Sequence, residues 1–236
     1  MAPVQSWFKG IFINSNIPGY EATAGEFFNR TQRDLMRICT VPLGADLLNL
    51  IRKRHDGVGT SGSGERRMVS IVPRGLTAST STIASDILAR LNTTRSFGGR
   101  DIRFAGKGSK TFITMHNTPA SEAIYTQQAG VTTPTFIALA HELIHALHHL
   151  GGNTYDDKVS ENGREAKREE MFTTGLGAYA NTRISENAIR RQFNLPVRTF
   201  YTFQDDHLLI KSLEQTIDTG LPKGYWFCSA MQQMAG

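Results

Sequence analysis

The chain has 236 residues, a formal net charge of +5, 39% hydrophobic residues and two cysteines. That length suits one domain, or one domain with decorations, and no continuous apolar stretch approaches the roughly 20 residues of a membrane-spanning helix. Cys39 and Cys228 match no metal or redox spacing and read as free thiols suited to a reducing compartment. The charge is mild and shows no aromatic-basic alternation, so nucleic-acid binding is not expected.

The opening residues, Met1 to Gly10, lack an apolar run behind a charged segment, so no cleaved signal is expected. Residues 1–22 read as an N-terminal arm. Trp7, Phe8, Ile11, Phe12 and Ile13 stand there among Gly, Pro and Asn breakers, which leaves the arm free to pack or to stay mobile. Residues 23–236 read as a single domain. A first helix is expected from Thr23 to Ile38 and a second from Leu43 to Arg54. Arg52-Lys53-Arg54-His55 and Arg66-Arg67 are basic spots of a solvated face. Gly57 to Gly64 lacks the lysine of a phosphate-binding loop and reads as a flexible connection. Met68 to Val72 is a short strand, and Thr77 to Leu91 is expected to be helical through Ile83, Ile87 and Leu88. Asp101 to Phe104 and Thr111 to Met115 are further strands. The second is expected at the edge of a cleft, where an extended peptide could add a strand.

The run from Thr133 to Gly152 reads as one helix, with Thr133 as cap, Pro134 at the first helical position and Gly151-Gly152 as the stop. Four of the chain's seven histidines fall between His141 and His149. At about 100° per residue, His141, His145 and His148 project within about 60° of one another, with Leu139, Leu143, Leu147 and Leu150 opposite. Within that face, His141-Glu142-Leu143-Ile144-His145 is the zinc-binding pattern of a zincin. Two imidazoles one turn apart can share a Zn²⁺ ion, and Glu142 points beside it, where the metal's water would sit.

Beyond this helix, Gly151 to Gly163 reads as a loop and Arg164 to Thr174 as a helix. Ser185 caps another helix through Phe193, Val197 to Phe203 is extended, and Asp206 to Ile217 is a final helix. The order gives an α+β domain, and with the histidine motif the expectation is a zincin-like metallopeptidase with a histidine-bearing active-site helix, a small sheet and a glutamate-bearing second helix. Two histidines leave zinc short of a third protein ligand. Candidates are Glu165, Glu169 or Glu170 downstream, His148 or His149 on the same helix, and the loop carboxylates Asp156 or Asp157. A ligand ten residues after His141 would fall on Gly151, which disfavours the zincin subclass built that way. Three imidazoles on one straight helix converge poorly on a tetrahedral ion, so His148 reads as a cleft-lining residue. The segment Arg168 to Gly177 is the better source, and helix rotation decides between its two glutamates.

His141 to Gly152, with Glu169-Glu170 and Thr174-Gly175-Leu176-Gly177, resembles the NleD-type bacterial effector metallopeptidases. A more distant resemblance is to the clostridial neurotoxin light chains. Carried over, the paired-glutamate segment makes Glu170 the zinc ligand and Glu169 its support. In the light chains a glutamate is followed after twelve residues by a catalytic arginine, and three later by a catalytic tyrosine. Glu186, Arg198 and Tyr201 reproduce both intervals. The resemblance is specific over residues 134–201. The light chains are much larger, so their substrate-wrapping surface does not carry over. It implies one Zn²⁺ on His141, His145 and Glu170, with Glu142, Arg198 and Tyr201 catalytic and Glu169 or Glu186 orienting a ligand histidine or Arg198. It further implies a monomeric virulence effector, injected through type III secretion into the host cytosol, that cleaves a host mitogen-activated protein kinase in its activation loop without membrane insertion. The competing expectation is a catalytically silent, zinc-stabilised binding module, which would have no need of Glu142.

Overall fold

The computed structural model describes residues 4–57, 67–74, 81–85, 93–97, 100–116, 131, 133–155, 158–161 and 164–199. Two helices come first, α1 (Ala24–Cys39) and α2 (Pro42–Asp56). Phe27, Thr31, Leu35 and Ile38 recur at helical spacing and are the buried side of α1, and Leu47, Leu48 and Ile51 that of α2. Met36, off this stripe, remains exposed.

Among the described residues the main sheet has five strands, in the order β1 (Val4–Gln5), β2 (Ile11–Ile13), β3 (Val69–Arg74), β7 (Thr111–His116) and β4 (Ser81–Ala84). β2, β3 and β7 run parallel, while β1 and β4 flank them antiparallel. The register aligns two rows of side chains: Ile13, Ile71, Ile113 and Thr82, and Ile11, Val69, Thr111 and Ala84. Because side chains alternate along a strand, each row stands on one face. The isoleucines and Val69 are fully buried. The segment expected as an arm thus supplies two strands, and Ile11 and Ile13 enter the core. Two antiparallel pairs are set apart, β5 (Thr93–Phe97) with β6 (Arg100–Phe104), and β8 (Lys158–Glu161) with β9 (Arg164–Lys167).

Three expectations change. Ser81–Ala84 is strand, not helix. Ser, Thr and Ile are weak helix formers, and here they pair with Thr111 to Thr114, a partner the local apolar spacing does not reveal. The remainder of Thr77 to Leu91, apart from Ser85, lies outside the described residues. Thr111–His116 is an inner strand, hydrogen-bonded to β3 and β4, so β4 is the outermost strand on that side among the described residues. Arg164–Lys167 is also strand, because it pairs with Lys158–Glu161 inside the expected loop, and helix α4 starts only at Arg168 (Arg168–Thr174). Asp206 to Ile217 lies outside the described residues, as do Asp156, Asp157 and Cys228.

Helix α3 (Thr135–Gly151) lies against β4 and β7 on one side and α1 and α2 on another, with α4 and α5 (Glu186–Gln192) also packed on it. Only Thr135 and Leu147 escape burial, so the histidine side is as enclosed as the leucine side. Its N-cap is Pro134, one residue later than expected. Thr133 instead reaches across to α5, where its hydroxyl accepts a 2.6 Å hydrogen bond from Arg190 Nη2. At the other end Gly152 closes the helix at φ 66°, and a Cβ there would lie 2.4 Å from the Gly106 backbone. The close approach lets the segment before β7 take up terminal helix carbonyls, with Ser109 N–H donating to the His149 carbonyl at 2.9 Å. No helix among the described residues is long and apolar enough to cross a membrane.

Candidate metal centre

His141 and His145, one turn apart on α3, meet Glu170 from the first turn of α4. His145 Nε2 lies 3.1 Å from His141 Nε2 and 3.0 Å from Glu170 Oε2, and His141 Nε2 lies 3.4 Å from the same oxygen. Ligands about 2.0–2.1 Å from a tetrahedral zinc stand about 3.4 Å apart, so the triangle has the size of three corners of such a shell.

The other ring nitrogens fix which atoms face inward. His141 Nδ1 donates to Glu186 Oε2 at 2.9 Å, and His145 Nδ1 donates to Glu169 Oε1 at 3.1 Å. Carboxylates only accept, so each Nδ1 carries the proton and each neutral ring turns the Nε2 lone pair toward Glu170. Two lone pairs and a carboxylate oxygen then converge with no proton between them, an arrangement a cation resolves. Three buried glutamates, Glu169, Glu170 and Glu186, touch the two rings, and Arg190 and Arg198 bond to Glu186 behind them. The residues present therefore fit a metal.

Burial alone would push His141 and His145 down. The Glu170 and Glu186 hydrogen bonds outweigh it at His141, and the charge of Glu170, with Glu169, outweighs it at His145, so both imidazoles stand above their ordinary range. Burial likewise opposes ionisation of Glu170. The charge of His145 and hydrogen bonds from both histidines nevertheless hold it well below the usual carboxylate range. Glu169 is held low by His148 and His145, and Glu186 by Arg198, His141 and Arg190, again against burial.

Local folding explains who reaches the site. Gly175, at φ 80°, ends α4 with its N–H on the Met171 carbonyl, and a Cβ there would meet Ser185 Oγ at 2.5 Å. That tight turn brings α5 back against α4. Ser185 caps α5 by accepting from Ala188 N–H at 3.3 Å, which sets Glu186 at its first position. After α5, Asn194 (φ 54°) reverses the chain. The returning segment is clamped by Asn187, which donates to the Arg198 carbonyl and accepts from the Arg198 N–H, both at 2.8 Å. Arg198 Nη1 then donates to Glu186 Oε2 at 3.0 Å, behind the ring of His141. Glu142 is buried beside the histidines, its Oε2 accepting from the Thr82 hydroxyl at 2.5 Å. His148 lies outside the triad: its Nδ1 donates to Glu169 Oε1 at 2.6 Å and its ring stacks on Phe172 at 4.8 Å. His149 is buried but also outside the triad. Glu165 sits in β9 opposite Ser160. Tyr201 lies outside the described residues.

Sequence reasoning missed Arg190, Asn187 and Thr82, and gave Thr133 only a capping role. Arg190 follows Glu186 by one helical turn, a spacing that reads as an exposed ion pair. Here it is wholly buried, donating to Glu186 Oε1 at 2.6 Å through Nε and to Thr133 through Nη2. Asn187, next to Glu186, had a polar side chain but no interval that pointed to a role.

A model of the Peptidase_M91 family, described as effector proteins, matches residues 15–201. The chain belongs to that family. Its His141, His145 and Glu170 form the compact triad typical of a zinc metalloendopeptidase active site, on a zincin-like α+β fold. None of the curated proteins matches the chain at a significant level. Among solved structures it is distantly similar to the Clostridium botulinum neurotoxin serotype F light chain. The identity is 18% and the TM-score 0.49, over 78% of this chain and 58% of that one. It is also similar to the botulinum neurotoxin serotype HA light chain, with 15% identity and a TM-score of 0.47, over 79% of this chain and 57% of that one. The chain thus spans rather more than half the length of those light chains.

Proposed function

We propose that this effector is a zinc endopeptidase that hydrolyses a host protein, with His141, His145 and Glu170 as ligands of one Zn²⁺. The observation that carries the reading is the triangle of inward-facing lone pairs, whose tautomers Glu186 and Glu169 fix. Imidazole and carboxylate donors at tetrahedral separations suit zinc. The chemistry a zinc ion supplies at such a site is Lewis acidity toward water and the scissile carbonyl. Glu142 accepts the proton of the attacking water as the C–O bond forms, then passes it to the departing amine nitrogen as the C–N bond breaks. Arg198 and Tyr201 supply hydrogen bonds where oxyanion charge develops, with Arg198 swinging from or sharing its bond to Glu186. Glu169 and Glu186 keep the ligand imidazoles oriented.

The substrate we propose is an extended segment paired along β4, the outermost strand beside α3 among the described residues. The sequence resemblance supports the activation loop of a host mitogen-activated protein kinase, met in the host cytosol by a monomeric effector. Glu142→Gln keeps every metal ligand and removes the base, so the variant should bind zinc stoichiometrically and lose about 10²–10⁴-fold in cleavage rate. Mass mapping of cleavage products in a host-cell extract, native protein against Glu142→Gln, tests hydrolysis and locates the cut together. Native-rate cleavage by the zinc-loaded Glu142→Gln variant, free of native protein, would overturn the assignment. Absence of any cleavage by the zinc-loaded native protein would favour the silent binding module.

A further inference from the structure

The row of side chains that crosses the sheet beneath α3 reads Ile13, Ile71 and Ile113 on β2, β3 and β7, and its last member, on β4, is Thr82. The three isoleucines are fully buried in the apolar core. Threonine keeps their branched shape and their strand preference but adds a hydroxyl. Thr82 is only partly buried, and its hydroxyl is turned to α3 rather than left to solvent alone. It lies 2.5 Å from Glu142 Oε2 and 3.1 Å from the Glu142 carbonyl oxygen. A hydroxyl has one proton to give, and an ionised carboxylate is a stronger acceptor than a carbonyl already engaged in a helix.

We propose that Thr82 is the positioning residue for Glu142: it holds Oε2 and leaves Oε1 as the oxygen that receives the water proton. The inference rests on the assignment of Glu142 as base. Held by one oxygen, the carboxylate cannot turn about its terminal torsion, which is otherwise broad. Since Thr82 belongs to β4, the same bond ties the base to the strand along which the peptide is proposed to lie. Binding a peptide to β4 and aligning the base are then not independent events.

The test compares Thr82→Val, which keeps the branched shape, with Thr82→Ser, which keeps the hydroxyl, both as full chains loaded with zinc. Zinc stoichiometry and melting temperature serve as folding controls. On a peptide spanning the mapped cleavage site, Thr82→Val should lose about 10- to 100-fold in kcat with KM within about twofold, the scale of a misplaced reacting group. Thr82→Ser should recover most of that loss. A second readout needs no turnover. Acetohydroxamic acid gives up a proton when it chelates a metal beside a carboxylate, so its affinity should fall about tenfold in Thr82→Val and recover in Thr82→Ser. Unchanged kcat and hydroxamate affinity in Thr82→Val would overturn the proposal, as would a loss confined to KM or a failure of serine to rescue. If Glu142→Gln is inactive while Thr82→Val is fully active, only the positioning role falls. If Glu142→Gln is itself active, the base assignment falls first.

Discussion

His141 and His145 each donate Nδ1–H to a buried glutamate, but the two glutamates are anchored by different kinds of group. Glu186 takes Arg190 Nε on Oε1, and His141 Nδ1 with Arg198 Nη1 on Oε2. Its neighbours are fixed positive charges that no accessible pH removes. Glu169 takes His145 and His148 on Oε1 and the Tyr155 backbone N–H on Oε2 at 3.0 Å. Its neighbours are neutral donors whenever the histidines are neutral. The Glu186 side is therefore a charge knot that joins α5, the segment that follows it and, through Thr133, the start of α3. The Glu169 side is a polar hub that joins α3, α4 and the loop after α3. One side stabilises the fold around the metal, while the other mainly sets ligand orientation.

The largest effect should follow from cutting the knot. Glu186→Ala leaves two buried guanidiniums without their carboxylate. Breaking a buried pair by removing one partner costs about 3–5 kcal/mol. Denaturant unfolding of metal-free protein should show that loss, because it does not depend on zinc. A loss below about 1 kcal/mol would show that the arginines find other partners and that the contrast with Glu169 is false. Glu169→Gln is the counterpart. It keeps the shape and an acceptor oxygen but removes the charge, so zinc affinity should fall about 10- to 100-fold, as for other groups behind a ligand histidine. Competition against a chelator measures it. Metal-free stability should change by only about 1–3 kcal/mol. A larger metal-free loss than that of Glu186→Ala would reverse the comparison.

What the sequence revealed follows the reach of each contact. Two ligands on one helix are a local pattern, so His141 and His145 were legible from spacing alone. Glu169 and Glu170 are adjacent, and no local rule says which faces the ion. In the folded chain they straddle His145, with Glu170 toward Nε2 and Glu169 toward Nδ1. Glu186 and Arg198 were reached only through intervals shared with a known family. Arg190 was missed because burial, which turns a surface-type ion pair into a structural one, depends on how α5 packs. Thr82 was missed for a related reason: its partner lies 60 residues away, and the strand that carries it pairs with residues of β7 rather than with its chain neighbours. Where helix was expected across Thr77 to Leu91, the apolar spacing competed with a tertiary pairing, and the pairing won over Ser81–Ala84.

The smallest effect should come from His148, and it decides what kind of residue the third imidazole on the ligand face is. The sequence left it a cleft-lining group or a ligand. In the fold its Nδ1 is spent on Glu169 and its ring lies nearly parallel to Phe172, at 26°. His148→Phe retains an aromatic ring against Phe172 and removes one donor from Glu169, which still holds His145 and the Tyr155 N–H. Losing one such hydrogen bond is worth about 1 kcal/mol, or roughly fivefold in zinc affinity. That is well short of the loss expected for Glu169→Gln, because the carboxylate remains to orient His145. A loss of about 100-fold or more would mean that His148 reaches the ion. Equal losses in the two variants would instead mean that Glu169 acts on His145 only when His148 holds it, which would make the polar hub as cooperative as the charge knot opposite.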